Sequence, residues 1–133
     1  MREILFKAKR LDNGEWVEGD LTQDKDLDIV FICGWNYFYG ENGREREPFE
    51  YRVDPSTVCQ YIGLKDKNGV KIFEGDIISI IGSKKPGIPV AVKYLSEQCQ
   101  FVIDRGAYNP IWMNDFTPEK DFEVIGNIHD KEE

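Results

Sequence analysis

The stretch YIGLKDKNGVKIFEGDII, residues 61–78, decides the fold because it places two turn signals between short apolar segments. The pair Asn68-Gly69 suits a tight hairpin, since both residue types tolerate a positive φ. The triplet Glu74-Gly75-Asp76 supplies a second corner, because glycine turns freely and the aspartate can accept hydrogen bonds from nearby backbone amides. The stretch therefore predicts two short strands, each entered through a turn.

A shorter version of this pattern lies upstream. There, Asn13-Gly14 leads into an apolar segment and then into Glu18-Gly19-Asp20. The same residue types in the same order predict a turn, a strand, a second corner and a second strand. The repeated turn chemistry indicates an architecture and not a reaction.

The rest of the chain also favours short strands. Gly or Pro interrupts nearly every longer window, and no segment shows a convincing helical period. We expect a mainly β protein of short, bent strands with at most one or two helical turns. Residues 1–55 are predicted to form an N-terminal β-rich region and residues 56–133 a small, bent barrel. A single compact unit is the alternative.

Residues 29–50 are predicted to hold two strands and a loop. The apolar run 29–33 is one strand, Gly34 interrupts it, and residues 35–39 are the returning strand. Residues 40–50 are charged and show neither a helical nor a strand period. We interpret them as a mobile loop or a hairpin tip.

The returning strand carries the candidate contact surface. Alternation sends Trp35, Tyr37 and Tyr39 to one side of it. Large aromatic side chains also fill small β cores, so packing in the interior is the simpler interpretation. If exposed, the three rings would form a patch of the kind that partners use.

Composition limits the classes of partner. The 133 residues carry a formal net charge of −8. Nucleic-acid binders neutralise phosphates with Lys and Arg, so this charge argues against direct binding of DNA or RNA. It also disfavours adsorption to anionic membranes. A local basic patch stays open as an alternative to solvated surface positions. Its candidates are Lys65, Lys67, Lys71, Lys84, Lys85 and Lys93.

Cysteine usage and hydropathy predict a cytoplasmic protein. Cys33, Cys59 and Cys99 lie far apart, and we expect buried, inert thiols in a reducing compartment. The N-terminus carries no apolar secretion signal, and no apolar run is long enough to cross a bilayer. We expect no membrane association.

Candidate catalytic chemistry is sparse. Glu18 with Asp20, and Glu74 with Asp76, could each turn two carboxylates to one face and hold a cation. A divalent cation needs six or more oxygen ligands, so capping of turns is the better interpretation. The lone His129 lies in a polar tail, which offers little support for a catalytic triad. We therefore predict no catalytic residue, no metal and no cofactor.

Segments spread over nearly the whole chain resemble the YopX family, which phages and prophages largely encode. The matching residues are Val53, Pro55, Thr57 and Val58; Gln60, Tyr61, Gly63, Leu64, Asp66 and Gly69; Phe73, Glu74, Gly75 and Asp76; and Val124, Ile125, Gly126, Asn127 and Ile128. Residues 2–8 and 19–21 fit as well. The chain departs from the pattern at Cys59, where Gly is usual, and at His129, where an aromatic is expected.

The resemblance implies a C-terminal barrel of the Src-homology-3 type after an N-terminal β-rich region, with the matching residues as structural elements. It implies no activity. We expect a phage or prophage accessory protein in the host cytoplasm that acts through protein contacts, either with itself as a homo-oligomer or with a host or phage protein. The alternatives are a nucleic-acid-linked regulator or DNA mimic, and, last, a carboxylate- or metal-dependent hydrolase.

Overall fold

The computed structural model describes residues 3–80, 90–97, 99–104, 111–112 and 117–130. These residues form β1 (Phe6–Lys9), β2 (Trp16–Asp24), β3 (Ile29–Gly40), β4 (Gly43–Val53), β5 (Cys59–Lys65), β6 (Lys71–Phe73), β7 (Asp76–Ile80), β8 (Val90–Leu95), β9 (Gln100–Asp104), β10 (Ile111–Trp112) and β11 (Phe122–Asn127). A 3-10 turn covers Pro55–Thr57 and a four-residue helix, α1, covers Pro118–Asp121. The prediction of a mainly β protein with little helix is confirmed. The predicted loop at 82–89, with Lys84 and Lys85, lies outside the described residues.

The chain divides into two units. One is Ile4–Gln60, and the other is Tyr61–Glu133 together with Met1–Glu3. Antiparallel pairing orders one sheet β4-β3-β2-β1-β5-β6, and β5 is the strand in which the chain passes from the first unit to the second. The other sheet has the order β10-β9-β8-β7-β11. Among the described strands its edges, β10 and β11, do not pair with each other, so these pairings show an open sheet.

Alternation along the strands of the N-terminal unit places one face of its sheet on a core. Ala8, Val30, Ile32 and Val53 are buried and pack together. Partly buried side chains surround them, namely Phe6, Val17, Leu21, Phe49 and Val58. The residues between these positions along β3 and β4 point to the opposite side, which we name the outer face.

Strand β2 changes its neighbour at Gly19. Its first four residues pair with β1, ending at Phe6↔Gly19, and its last five pair with β3, beginning at Asp20↔Cys33. A Cβ on Gly19 would collide with the carbonyl oxygen of Cys33. The predicted corner at Glu18-Gly19-Asp20 is therefore wrong. The triplet lies inside one continuous strand, and glycine is needed there for close approach of two backbones.

Strand β3 is also continuous, which corrects two further predictions. Gly34 does not end a strand, because β3 runs from Ile29 to Gly40. A Cβ on Gly34 would lie 2.8 Å from ring atoms of Phe49, so this glycine makes room for the ring. The predicted loop at 40–50 is mostly strand β4, and only Glu41-Asn42 connects the two strands.

The C-terminal unit has a core of its own. Ile62, Ile72, Ile78, Val92, Ile103 and Phe122 are buried together. The motif at 61–78 forms the two predicted turns, since Asp66–Val70 connects β5 to β6 and Glu74-Gly75 connects β6 to β7. Positive φ occurs at Gly69 (77°) and Gly75 (85°) but not at Asn68. The Asn-Gly pair therefore needs only its glycine in the left-handed region, in contrast to our expectation.

Candidate functional site

The outer half of the β3–β4 hairpin pairs only with itself. Strand β2 accompanies β3 as far as Cys33, whereas β3 and β4 stay paired from Gly34↔Phe49 to Gly40↔Gly43. We refer to residues 34–49 as the arm. No other described strand pairs with it, so the arm is a two-stranded ribbon with both faces available to solvent or to a partner.

The arm's outer face is aromatic and basic. Trp35, Tyr37 and Tyr39 are 47%, 57% and 88% exposed. Arg44 and Arg46 lie directly opposite Tyr39 and Tyr37 on β4. Side chains of directly opposed residues share one face of a sheet. The three rings and the two guanidinium groups therefore form one surface.

Both arginines stack on these rings. The guanidinium carbon of Arg46 lies 4.0 Å from the centroid of the Trp35 ring, and that of Arg44 lies 4.9 Å from the centroid of the Tyr37 ring. Such cation–π contacts stabilise an exposed pair by about 0.5–1 kcal/mol. They hold flexible side chains in place over the rings, which limits the entropy lost when a partner binds.

The structure does not place the three aromatic side chains in the interior. They alternate with Val30 and Ile32, which are buried, and so project from the face opposite the core. The interpretation of Trp35, Tyr37 and Tyr39 as core residues is wrong. Alternation predicted correctly that they share a side, but it does not tell which side of a sheet is covered.

The reverse face of the arm has the opposite charge. Asn36 and Phe38 project from it on β3, and Glu45 and Glu47 lie opposite them on β4. The sequence Arg44-Glu45-Arg46-Glu47 therefore alternates in sign with the period of a strand. Our sequence interpretation missed Arg44 and Arg46 as site residues because it treated this segment as aperiodic.

Two shallow, solvent-open depressions lie on the arm. The first, near the tip, is lined by Tyr37, Phe38, Arg44, Glu45 and Arg46. The second, at the base, is lined by Asp20, Cys33, Gly34, Trp35, Pro48, Phe49 and Glu50. Their open form suits contact with a large partner better than enclosure of a small molecule, which usually needs a cleft.

The residues of the family motif lie in the C-terminal unit and hold its turns. The buried carboxylate of Asp66 accepts hydrogen bonds through Oδ1 from the amides of Asn68 (2.8 Å) and Val70 (2.9 Å). Through Oδ2 it accepts one from the amide of Val124 (2.9 Å), which lies in β11. One side chain thus shapes the β5–β6 turn and fastens it to a distant strand.

Asp76 connects a second turn to the same strand. Its carboxylate accepts from the amide of Phe73 (2.8 Å) and from Nδ2 of Asn127 (2.9 Å). The intervening Gly75 donates to the carbonyl of Val92 (2.7 Å) and accepts from the amide of Ile128 (2.9 Å). These contacts explain why an aspartate and a glycine are needed side by side.

The other motif residues occupy structural positions. The buried Tyr61 ring lies 5.6 Å from that of Phe73, and Gly63 has a φ of 90°. Leu64 is exposed, and Glu74 is half-buried. Gly126 follows a register shift in the pairing of β11 with β7.

The paired carboxylates are divided between the two units. Glu18 and Asp20 are exposed on β2, whereas Glu74 and Asp76 lie at the β6–β7 turn. Within the described residues, no three His, Cys, Asp or Glu side chains are grouped so that they could hold a metal ion. The amide of His129 donates to Oδ1 of Asn127, so this residue helps to close the end of β11.

The thiols and lysines occupy varied environments. Cys59 is buried, Cys33 is partly buried and Cys99 is exposed, so the prediction of burial is confirmed for Cys59 alone. Lys67 pairs with Glu123 at 3.6 Å and Lys71 with Glu3 at 3.4 Å. The described part of the chain has no helix with the length and apolar character that a membrane span requires.

Comparison with known proteins gives a family and a fold. The family model described as YopX protein matches residues 5–133. Among solved structures, protein EF1440 from Enterococcus faecalis is similar with a TM-score of 0.58 and 25% sequence identity, over 97% of this chain and 95% of that chain. No curated protein matches the sequence. No activity comes with these similarities, so function must be argued from the site.

Proposed function

The chain belongs to the YopX family, and from this we propose that it is a phage or prophage accessory protein of the host cytoplasm that acts through protein contacts. The observation that carries the proposal is the outer face of the arm, where three exposed aromatic side chains lie beside two stacked arginines. Aromatic and arginine side chains are the types enriched at the centres of protein interfaces.

The arm suits contacts with proteins for a further reason. Its outer face projects from the side opposite the core, so engaging it disturbs none of the buried residues of the unit. The arginines on this face favour a partner surface with net negative charge. A second copy of this chain, with a formal charge of −8, meets that condition, and so would an acidic host or phage protein.

A substitution in the arm tests the proposal. We expect the double variant Trp35→Ala, Tyr37→Ala to fold normally, because neither side chain belongs to the core. It should bind the protein captured from host cells at least about tenfold more weakly, since truncating two central contacts of an interface typically costs more than 1.4 kcal/mol. Binding is measured by titration calorimetry with the purified captured protein.

The matched control is Leu64→Ala, Tyr94→Ala, which removes two exposed apolar side chains from the C-terminal unit. This control should retain full affinity. If the control weakened binding and the arm variant did not, the arm would not be the contact surface.

A second candidate function has one specific observation in its favour. Aromatic rings flanked by arginines on a ribbon are also what proteins use to bind single-stranded nucleic acid. In that case affinity would fall steeply with salt, and Arg44→Gln with Arg46→Gln would make the slope of log K against log salt shallower by about 1.4. Binding that does not change with salt would remove direct binding and leave mimicry of DNA by carboxylates.

We do not propose the carboxylate-dependent hydrolase. The two oxygens of Asp76 accept hydrogen bonds from Phe73 and Asn127, and those bonds hold the β6–β7 turn. A catalytic role for this carboxylate would compete with the contacts that form the turn.

For the C-terminal unit we propose the Src-homology-3 type of barrel that the family resemblance implies. Supporting features are the five-strand order β10-β9-β8-β7-β11, the irregular pairing of β11, and the core residues Ile62 and Ile72 that β5 and β6 add. Bulges and bends of this kind let a sheet curve toward closure. An experimental structure that includes residues 81–89 and 105–116 tests whether the sheet closes.

A further inference from the structure

We propose that two copies of this chain pair through the open edge of β3 in the arm, antiparallel, with Tyr37 of one copy opposite Tyr37 of the other. The inference rests on the proposed contact function and specifies both the partner and the geometry of the contact. It depends on three features of the arm, namely the direction of its peptide groups, the chemistry of its two edges and its content of charge.

The first feature is the direction of the peptide groups in β3. Residues of an antiparallel strand direct their N–H and C=O groups alternately to the two sides. Gly40 and Gly43 flank the two-residue turn of the hairpin, so even-numbered residues of β3 bond to β4 and odd-numbered residues face β2. The position of the Cys33 carbonyl oxygen against Gly19 of β2 agrees with this assignment.

The open edge follows from the path of β2. Beyond Cys33, β2 pairs with β1 instead of β3. Trp35, Tyr37 and Tyr39 therefore direct their amides and carbonyls to a side where no described strand pairs with them. Such a row of peptide groups is a template for another strand.

The second feature is the difference between the two edges of the arm. On β4, Pro48 lies opposite Trp35, at a position whose amide would face outward, and proline has no N–H to donate. Arg44 and Arg46 add charge to the same strand. Proline and charge are the devices that protect edge strands from pairing. The β3 edge has neither, which selects it as the edge that takes up a partner.

The third feature is the lack of charge in the segment GWNYFYG, residues 34–40, in a chain where 32% of residues are charged. Two copies that each carry a charge of −8 repel each other, so they approach most easily where neither is charged. Short uncharged segments of high β propensity without proline are also those that pair with identical strands.

One register satisfies all the open peptide groups. With Tyr37 on the two-fold axis, Trp35 of each copy lies opposite Tyr39 of the other, and all three outward-facing residues find partners. A shift by two residues in either direction leaves one of the three unpaired. This register also builds a continuous aromatic row across the outer face, in which cross-strand rings contact one another. The arrangement is a closed C2 dimer.

Cysteine cross-linking tests the register. In a background with Cys33→Ser and Cys99→Ser, which leaves only the buried Cys59, we introduce either Tyr37→Cys or Tyr39→Cys. We expect mild oxidation to produce a covalent dimer from Tyr37→Cys and none from Tyr39→Cys, because two residues 39 would be separated by about 13 Å along the strands. A mixture of Trp35→Cys and Tyr39→Cys chains should cross-link as a heterodimer.

Sedimentation supplies an independent measurement on chains without new cysteines. We expect the wild type to form dimers as its concentration rises. Tyr37→Lys, which places two like charges opposite each other, should raise the dissociation constant at least about tenfold. The control Tyr94→Lys, at an exposed tyrosine of β8, should leave it unchanged.

The outcomes separate this inference from the proposed function. A chain that stays monomeric at every concentration, or a dimer that cross-links through residue 39 and not 37, overturns the inference. If that chain still bound a captured host protein through the arm, the contact function would stand without the paired edge. If the arm variants had lost that binding in no case, both would fail.

Discussion

Asp66 shows how one carboxylate can determine the conformation of a turn. It is 3% exposed and accepts three hydrogen bonds from backbone amides, two within its own turn and one from Val124 in β11. A carboxylate offers two oxygens with free lone pairs, so it can satisfy all three donors at once. An asparagine side chain offers one oxygen, and its amide would meet a donor at either the turn or β11.

We expect Asp66→Ala to lower the free energy of unfolding by about 2–4 kcal/mol. The reason is that a buried donor left without a partner costs about 1–3 kcal/mol, and only Asn68 lies where water can replace the carboxylate. Asp66→Asn should be intermediate. Urea unfolding followed by far-UV circular dichroism measures both values.

The control for this prediction is Asp24→Ala. Asp24 caps a turn in the same manner, with Oδ1 accepting from the amides of Asp26 and Leu27, but it is exposed. Its loss should cost less than about 1 kcal/mol, because water replaces the carboxylate. Equal costs at Asp66 and Asp24 would show that burial and the bond to β11 contribute nothing.

At the level of elements, local chemistry explains which parts of the fold could be predicted from the sequence. The turns at 66–70 and 74–75 need a glycine with positive φ and an aspartate that accepts from nearby amides, and both needs are visible in adjacent residues. The mainly β character likewise follows from short apolar segments bounded by Gly and Pro.

Other features depend on contacts that are distant in the sequence. Gly34 resembles an interruption until the ring of Phe49 is seen to occupy the space of a side chain. Gly19 resembles a corner until the carbonyl of Cys33 is found beside it. The exposure of the aromatic row could not be predicted either, because alternation defines two faces and the remainder of the sheet decides which is covered.

A pair of glycine substitutions tests the account of β2. We expect Gly19→Ala to destabilise the protein by about 1–3 kcal/mol, because the added methyl can be accommodated only if β2 and β3 move apart. Gly126→Ala is the matched control, since a Cβ there would meet only Oδ2 of Asp130, at an ordinary 3.5 Å. It should change stability by less than about 0.5 kcal/mol. Similar values for both, measured by urea unfolding, would mean that Gly19 is not needed for close approach.

At the scale of the whole molecule, the division of labour follows the two units. The N-terminal unit presents the arm, and its core beneath the sheet involves none of the exposed aromatic side chains. The C-terminal unit contains the described motif residues from Tyr61 onward, whose contacts hold turns together. The recognisable family motif and the proposed contact surface therefore lie in different units, which is why the motif alone indicates no function.

A matched pair of core substitutions tests whether the two units are stabilised separately. Ile32 and Ile103 are both fully buried, one in each core cluster. Each change to alanine should cost about 2–5 kcal/mol through lost burial and the cavity left behind. If each core stabilises mainly its own unit, Ile32→Ala will accelerate amide hydrogen exchange in β3 and β4 while β7 and β9 stay protected, and Ile103→Ala will do the reverse. Exchange read by mass spectrometry at residue-level overlap distinguishes the cases, and equal acceleration in both units by either variant would mean that the chain opens as one cooperative body.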